Sequence, residues 1–400
     1  MSLTHGSSIV RDGLTMYFDT ANTQKSWRGA PATNYIPNPY ASYNGSSFVF
    51  GYNYQNLGAT YTYRTGVDNP INSPGVLEYY TGTTGYKYFS VDSTSLPATG
   101  TYTFSYYARL VGTPAGGNNA PIDNQLWRAN GSDRSVTGDW NPTFTFDWKR
   151  YLTTGPAEAS TILQYFPVHS GSIVGGYTIQ YCGFQLETGS YATPFVVGTR
   201  SSTQAVVDLT GKNSITASSL TYNSDNTFTF TKASANYLTL PLLSSVNTNV
   251  SVSCWAYVTL GTAGCIFESG YGSGFGVGIG NNYYTAADPG NNIVVLFPLV
   301  RWISTGVSYG STGWKNVVVT MDGSAVPSVY LNGSLVGTYS GTAPLTPVTN
   351  SYVGRNVGDE GSATDRAFDG KIASVAFYNR TLSASEVTQN FNALRGRYGL

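Results

Sequence analysis

The sequence predicts an all-β protein built from antiparallel sandwiches, with one short helix near its C-terminal end. Three observations predict this class. Polar and apolar residues alternate with a period of two in several segments, a pattern that places one face on a core and the other toward solvent. Glycine, proline, asparagine and serine separate these segments, as they do at turns between strands. A helical period is persuasive only once, close to the end of the chain.

The clearest strand predictions are four alternating segments filled with β-branched and aromatic residues. They cover residues 101–106, 143–149, 227–231 and 249–258. In the second segment, Trp148 falls on the same face as Phe144 and Phe146. That alternation predicts a core position for the Trp148 side chain.

Asn332-Gly333 predicts a tight hairpin between two short apolar segments. A two-residue hairpin turn requires positive φ angles, which asparagine and glycine tolerate better than other residues.

The predicted helix follows Ser383. This serine is suited to cap a helix, and Glu386, three residues later, completes a capping box. Val387, Phe391 and Leu394 then recur at i, i+4 and i+7, so they form one apolar stripe that would face a core.

Composition and charge exclude some functions. Charged residues make up only 10% of the chain, against about 25% in ordinary soluble domains. Twenty-one basic residues balance twenty-one acidic ones, so the surplus of cations that non-specific nucleic-acid binding requires is missing. Aromatic residues make up 14%, and 32 of them are tyrosines, the residue type favoured at recognition surfaces. This composition favours a recognition or assembly protein over a metabolic enzyme.

The ends of the chain and its cysteines predict folding in a reducing cytosol. Residues 1–8 lack the basic and apolar regions of a signal peptide. The longest apolar stretch, 293–300, is too short to span a membrane, and Pro298 interrupts it. Three cysteines, two histidines and no C-x-x-C pattern favour buried thiols over a zinc site.

The C-terminal half resembles the laminin-G-like, concanavalin A-like jelly-roll family. The segments that carry the resemblance occur in family order over residues 204–400. They are 250–257, 314–320 with 329–333, 352–355, 368–372 and 377–383. The resemblance implies an antiparallel jelly-roll sandwich closed by the predicted helix.

The opening of the chain resembles the first strand of the same family. Residues 9–19 match the family's opening pattern, yet the turn that ordinarily follows it soon afterwards, here 208–213, comes about 190 residues later. We therefore expect a discontinuous jelly roll of residues 1–30 plus 200–400, with residues 31–199 as an inserted β-sandwich. The alternative is an N-terminal arm followed by two tandem domains.

The inserted region resembles galactose-binding-like, carbohydrate-binding sandwiches of phage tail and fibre proteins. Residues 177–187, 191–195 and 198–200 carry this resemblance through a "QLE…G…ATPF…GTR" ending. Together the two resemblances imply a structural protein of a tailed bacteriophage. We expect it to be made in the host cytoplasm and carried on the virion surface, and to assemble as an oligomer with other capsid or tail subunits.

The sequence gives little support to an enzyme. Retaining glucanases of the jelly-roll type use two carboxylates about 5 Å apart, commonly spaced as E-x-D-x-x-E, and no such motif occurs. Glu268 has no carboxylate close to it in sequence, and His169 has no nucleophile or acid that the sequence places beside it. We interpret both as structural residues and assign no catalytic residue.

One acidic cluster is a candidate metal site. Asp359 and Asp365 lie near Glu360 and Asp369, and carboxylate oxygens are the ligands that Ca²⁺ prefers. The cluster lacks a defined loop spacing, however, and Arg355 and Arg366 are available to neutralise it. We therefore expect no cofactor, with Ca²⁺ as the alternative.

Two aromatic groups are candidate glycan-binding residues, because sugar rings stack on aromatic faces while amides and carboxylates bind their hydroxyls. Trp127 and Trp140 lie near asparagine and aspartate residues in the inserted region, and Tyr283 and Tyr284 lie among asparagines in the jelly roll. Aromatic contacts between subunits are the competing explanation, since interfaces favour tyrosine and tryptophan.

These observations predict a non-enzymatic phage virion protein: a capsid decoration protein, head fibre or tail component that displays β-sandwich binding domains, with host-glycan adhesion as a further role. A dedicated receptor- or glycan-binding adhesin is the alternative, and a glycoside hydrolase is the third. We expect neither nucleic-acid binding nor membrane insertion.

Overall fold

The computed structural model contains two compact units. The N/C unit consists of Met1–Ala30 and Ser201–Leu400, and the middle unit consists of Pro31–Arg200. The structure describes residues 8–23, 25–40, 42, 53–54, 60–81, 87–112, 126–129, 132–133, 137–138, 143–170, 176–223, 225–234, 236–243, 249–270, 274–280, 291–297, 301–324, 326–339, 350–356 and 367–400.

Strands dominate both units. The N/C unit begins with β1 (Leu14–Asp19). The middle unit contains β2 (Ala32–Thr33), β3 (Asn53–Tyr54), β4 (Thr60–Thr65), β5 (Gly75–Tyr80), β6 (Lys87–Asp92), β7 (Gly100–Val111), β8 (Leu126–Ala129), β9 (Ser132–Asp133), β10 (Thr137–Gly138), β11 (Lys149–Ala157), β12 (Leu163–Ser170), β13 (Thr178–Thr188) and β14 (Thr199–Arg200).

The chain then returns to the N/C unit. Its remaining strands are β15 (Thr216–Ser218), β16 (Thr221–Tyr222), β17 (Phe228–Phe230), β18 (Tyr237–Leu240), β19 (Val250–Val258), β20 (Gly264–Ser269), β21 (Phe275–Ile279), β22 (Asn292–Phe297), β23 (Arg301–Ser308), β24 (Gly313–Met321), β25 (Pro327–Leu331), β26 (Ser334–Thr338), β27 (Ser351–Val353) and β28 (Gly370–Tyr378). One α-helix, α1 (Ala384–Leu394), follows them, and short 3₁₀ turns occupy Ser202–Gln204, Lys232–Ser234 and Arg395–Arg397.

Two antiparallel sheets form the N/C unit. One has the order β16-β17-β28-β19-β24-β25-β26, with β1 as an eighth strand on β28, and the other has the order β15-β18-β27-β20-β21-β22-β23. Side chains from both sheets, such as Val252 of β19 and Val277 of β21, bury one continuous apolar core. The predicted all-β sandwich class, with one short C-terminal helix, is confirmed.

The first strand lies in a sheet whose other members come from the last half of the chain. β1 runs antiparallel to β28, with Phe18 opposite Val375. The side chains of Met16 and Phe18 are fully buried in the shared core. The backbone N–H of Tyr17 donates to the Asp208 carboxylate at 2.9 Å, which attaches the strand to the turn at 208–213.

The middle unit is a second antiparallel sandwich. Its main sheets have the orders β10-β11-β7-β13-β5-β4 and β3-β6-β12-β8-β9. Phe104 of β7 stacks on Tyr165 of β12, with ring centroids 3.8 Å apart. Many of the tyrosines that composition assigns to a recognition surface lie instead in this core, among them Tyr79, Tyr102, Tyr106, Tyr151 and Tyr181.

The "QLE…ATPF…GTR" segment forms a buried polar network that closes the middle unit. The Glu187 carboxylate is almost fully buried and accepts hydrogen bonds from the backbone N–H and the hydroxyl of Thr193. Arg200 donates to the same hydroxyl and to the Pro194 carbonyl. Because β14 then pairs with β2, these residues join the two ends of the unit and act in its structure.

The predicted strand at 143–149 is wrong. Only Lys149 belongs to a strand, β11, and the preceding residues follow a bend in which Thr145 donates its hydroxyl hydrogen to the Asp147 carbonyl. Phe144 is buried but Phe146 is 49% exposed. Trp148 is half-buried under the guanidinium of Arg109, which lies 4.8 Å from the ring centroid. It is outside the core cluster of the middle unit, so its predicted core position is also wrong.

Helix α1 begins as its capping box predicts. The Ser383 side chain accepts from the backbone N–H of Glu386, and the Glu386 carboxylate accepts from the backbone N–H of Ser383. Val387, Phe391 and Leu394 are buried, as the apolar stripe predicts. Phe391 packs parallel to Trp255 of β19, so the helix covers one face of the eight-stranded sheet.

The contribution of this helix cap to folding stability is expected to depend on pH, which can be tested. Hydrogen bonds from Arg380 and from Ser383 lower the pKa of Glu386 to about 2. A depressed pKa means that the cap contributes its full stability above the ordinary pKa of the carboxyl group and loses it as pH falls toward 2. We expect Glu386→Gln to lower the free energy of unfolding by about 1 kcal/mol at neutral pH.

Urea unfolding of the wild type and of this variant measures that difference. It is expected to shrink between about pH 5 and pH 2. If the difference in the free energy of unfolding between the two proteins stayed constant over this range, the lowered pKa of Glu386 would not come from its hydrogen bonds in the cap.

The three cysteines are buried and form no disulfide. Burial raises the pKa of the Cys182 thiol to about 12 and raises that of Cys254 well above its usual range. Both thiols are therefore protonated and unreactive at neutral pH. Within the described residues, no helix has the length and apolar character needed to cross a bilayer.

Candidate functional site

A row of six residues crosses the outer face of the seven-stranded sheet. Direct strand partners define the row, since residues that lie opposite each other in antiparallel strands share a face. In order across the sheet, the row contains Thr239, Tyr352, Glu268, Gly276, Leu296 and Trp302. The neighbouring row, which includes Leu238, Val353 and Val277, lies in the core. The six residues therefore face away from the other sheet.

One end of this row is an aromatic and cationic cluster, which we call the Tyr–Arg cluster (Tyr237, Tyr352 and Arg355). The two tyrosine rings meet nearly edge to face, with centroids 5.9 Å apart. The Arg355 guanidinium lies 4.7 Å from the Tyr237 centroid and 5.8 Å from that of Tyr352. All three residues are half-buried. Within the described chain the buried Nε of Arg355 has no hydrogen-bond partner.

A glycine turn holds Arg355 in this place. Gly354 has φ +83°, which only glycine adopts readily, and a Cβ there would lie 2.2 Å from the Phe230 ring. Its N–H donates to the Ile266 carbonyl at 2.9 Å, and its own carbonyl accepts from Phe368. The chain thus leaves β27 at a fixed angle that directs the next residue, Arg355, over the tyrosines.

The other end of the row is packed, not open. The indole of Trp302 lies across Gly276, where a Cβ would come within 2.8 Å of the ring. Trp302 is 3% exposed and forms a buried cluster with Cys265, Val294 and Leu296. Trp302 therefore shapes the sheet surface by packing and offers little ring area to a ligand.

Glu268 occupies the centre of the row, between Tyr352 and Gly276. It is 1% exposed, a burial that agrees with the structural interpretation from the sequence. It is also the only carboxylate of the six. Retaining hydrolysis uses a second carboxyl group about 5 Å away, so this row alone does not supply a catalytic pair.

The structure does not test the site residues predicted from the sequence. Trp140, Tyr283, Tyr284, Asp359 and Asp365 lie outside the described residues. Trp127 lies in β8, where its backbone is opposite Tyr165, and only its backbone is described. Glycan binding by the four aromatic residues and calcium binding by the two aspartates stay predictions. Among the described side chains, no group of three or more histidine, cysteine or acidic residues would hold a metal ion.

The Tyr–Arg cluster is what sequence reasoning missed. The sequence identifies residues 352–355 as a family-like segment and predicts Arg355 as a partner of the acidic cluster. Its aromatic partner Tyr237 comes from a strand more than one hundred residues earlier. A signal existed in the alternation of Tyr237 and Thr239 with Leu238 and Leu240, which places the first pair on the outer face.

A family comparison identifies the fold of the N/C unit. Residues 230–388 match the model of the concanavalin A-like lectin/glucanases superfamily. This segment is a concanavalin A-like jelly-roll domain. The match begins at the end of β17 and extends into helix α1. It therefore includes Glu268, the Tyr–Arg cluster and most strands of both sheets of the jelly-roll domain.

Solved structures show more distant likenesses to the chain. The botulinum neurotoxin type G receptor-binding domain is 18% identical over 46% of this chain and 48% of that one, with a TM-score of 0.35. Domain 4 of an extracellular arabinanase from Geobacillus stearothermophilus, in complex with arabinotriose, is 17% identical over 46% of this chain and 91% of that one, with a TM-score of 0.35. A heptameric SAP-like pentraxin from Limulus polyphemus is 15% identical over 38% of this chain and 70% of that one, with a TM-score of 0.29.

These likenesses are too distant to carry a functional argument. The matched region spans about half the length of the botulinum neurotoxin binding domains. A search of curated protein sequences gave no significant match.

Proposed function

We propose that this protein is a non-enzymatic surface protein of a bacteriophage particle, and that its jelly-roll domain binds a host-surface glycan through the Tyr–Arg cluster. The observation that carries the glycan proposal is the position of Arg355. Its guanidinium lies over two half-buried tyrosine rings on the outer sheet face and retains a donor that no described group uses.

This arrangement suits a sugar ring. Tyrosine presents an apolar ring face together with a hydroxyl that forms hydrogen bonds. Arginine supplies several donors in a fixed plane for sugar hydroxyls. The packing of Arg355 on Tyr237 and Tyr352 orders these groups before a ligand arrives, which reduces the entropy lost on binding.

The placement on a phage particle has separate support. The middle unit ends in the segment that resembles phage tail and fibre proteins, and the whole chain is poor in charge and rich in aromatic residues. Low charge and aromatic residues favour contacts between subunits. We infer that the protein associates with other virion proteins as an oligomer, as a capsid decoration protein, a head fibre or a tail component.

The non-enzymatic part of the proposal is supported by Glu268. A buried single carboxylate in the row does not provide the pair of acids that glycoside hydrolysis uses. Turnover of any bound glycan that is abolished by Glu268→Gln would overturn this part and favour the hydrolase alternative.

Glycan-array binding by the intact protein tests the site. Tyr352→Ala and Arg355→Ala are each expected to weaken binding of any glycan that the wild type retains by about tenfold or more. Tyr257→Ala is the matched control, because Tyr257 is a half-buried tyrosine on the opposite sheet, where it packs against Trp314. Equal losses in all three variants would contradict the proposed site.

Particle association tests the location. Purified particles are expected to retain the protein through washing, and a map of the intact particle would show where it sits. Retention by particles together with no hit on the array would overturn the glycan role. Glycan binding with no particle association would favour the dedicated adhesin.

A further inference from the structure

A cleft of the jelly-roll domain lies away from the seven-stranded sheet and its Tyr–Arg cluster. It opens between the segment that leads into β1, the loop that follows β1 and the turn at 209–212, and its volume is about 540 Å³. That volume falls in the range of small-molecule sites. None of the nine residues that line it is acidic.

Three basic side chains line the cleft. They are Arg11, Lys25 and Lys212, and all three are exposed. Within the described chain none of them forms a salt bridge, whereas Arg380 and Arg397 nearby in the same domain do. The three residues come from three separate segments, so the fold, and not a local run of basic sequence, brings them together.

The two buried carboxylates close to the cleft do not neutralise this charge. Asp208 accepts hydrogen bonds from backbone and side-chain donors of Tyr17, Thr210, Lys212 and Asn213. The donor from Lys212 is its backbone N–H and not its ammonium group. Asp19 forms a salt bridge with Arg397. Both acids are therefore used within the protein, and the three cations remain available to a ligand.

The rest of the lining is apolar or neutral. Ile9, Leu14 and Leu209 provide aliphatic surface, and Asn22 and Thr210 provide an amide and a hydroxyl. The one aromatic residue, Tyr17, is 8% exposed, so the cleft offers almost no ring on which a nucleic-acid base would stack. A ligand that complements this lining is anionic, compact and partly apolar, and it carries hydroxyl groups.

We propose that this cleft binds an acidic saccharide, a sugar unit that carries a phosphate or a carboxylate group. The cations bind the anionic group, the Asn22 amide binds hydroxyls, and the aliphatic residues contact the apolar face of the ring. This site is separate from the Tyr–Arg cluster and does not depend on the function proposed for it.

NMR titration of the full chain with four probes tests the proposal. The probes are glucose 6-phosphate, glucuronic acid, glucose and inorganic phosphate. We expect at least one acidic sugar to bind about tenfold more tightly than glucose and than inorganic phosphate. The two acidic sugars show whether the cleft prefers phosphate or carboxylate. Raising the salt concentration is expected to weaken binding of the acidic sugar and leave glucose unaffected.

The double variant Lys25→Glu and Lys212→Glu is expected to abolish the preference for acidic sugars. Both side chains are exposed, so the folding stability should change little. Lys232→Glu in the same domain is the control, since Lys232 does not line the cleft.

The proposal is overturned if no acidic sugar binds more tightly than glucose, if inorganic phosphate binds as tightly as the acidic sugars, or if the double variant binds like the control. Tyr352→Ala is expected to leave this binding intact, which separates the cleft from the Tyr–Arg cluster.

Discussion

Replacing Asp208 by alanine is expected to destabilise the jelly-roll domain by about 3–5 kcal/mol. Asp208 is 2% exposed, and its carboxylate is the acceptor that joins β1 to the turn before β15. Each donor left without an acceptor in a buried site costs about 1–3 kcal/mol. The donors are the backbone N–H groups of Tyr17, Thr210, Lys212 and Asn213, the Thr210 hydroxyl and the Asn213 amide.

The loss is expected to affect one strand first. Native-state hydrogen exchange would show faster exchange for β1 and for its partner residues in β28, because Tyr17 is the only residue of β1 that donates directly to Asp208 within the described chain. Asp322→Ala is the matched control: its carboxylate also caps a turn, through the N–H groups of Ser324 and Val326, but it is exposed. We expect a loss of less than about 1 kcal/mol for the control. If the two variants lost similar amounts of unfolding free energy, the burial of Asp208 would not increase the stability that its hydrogen bonds provide.

Local features of the fold were predictable because each depends on residues adjacent in sequence. Asn332 and Gly333 both have positive φ, at 50° and 81°, and they join β25 to β26 as the hairpin signal predicts. Ser383 and Glu386 cap the helix through bonds that span three residues. In both places one short segment contains all the partners that determine the structure.

Alternation failed where it occurred without a partner strand. Residues 143–148 alternate as well as any strand in the chain, yet they follow a bend in which Phe146 is exposed and Trp148 packs under Arg109. Alternation shows only that successive side chains have different environments. Whether a segment becomes a strand depends on a continuous set of hydrogen bonds to a neighbouring segment. Residues 143–148 accept a bond from the Leu110 N–H at the Thr145 carbonyl, 2.7 Å long, but form no described strand before Lys149, and the sequence does not show this.

The candidate site could not be assembled from the sequence, since it depends on the order of strands in a sheet. Tyr237 and Tyr352 meet because β18 and β27 are neighbours, and Glu268 joins the row because β20 lies on the other side of β27. A period of two assigns each residue to a face but not to a neighbour. The cationic cleft has the same origin, because its three basic residues lie in segments up to about 200 residues apart.

Replacing Gly354 by alanine is expected to lower the stability of the jelly-roll domain by about 3–4 kcal/mol. Two costs combine at this position. The φ angle of +83° is unfavourable for any residue with a Cβ, and the added methyl group would overlap the fully buried ring of Phe230 at 2.2 Å. Because Phe230 lies in the core between the two sheets, it has little room to move away.

Gly261→Ala separates the two costs. Gly261 has nearly the same φ, +79°, but a Cβ there would meet nothing within 4 Å. Urea unfolding is expected to show a loss of about 1 kcal/mol for this control, and the remainder of the Gly354 effect then measures the overlap with Phe230. Equal losses in the two variants would contradict the packing argument.

The same pair of variants links this turn to binding. Any backbone shift that relieves the overlap at Gly354 moves the following residue, Arg355, away from the rings of Tyr237 and Tyr352. At a temperature where both variants remain folded, Gly354→Ala is therefore expected to lose glycan binding while Gly261→Ala keeps it. Retained binding in folded Gly354→Ala would show that the angle set by this glycine is not what places the guanidinium in the Tyr–Arg cluster.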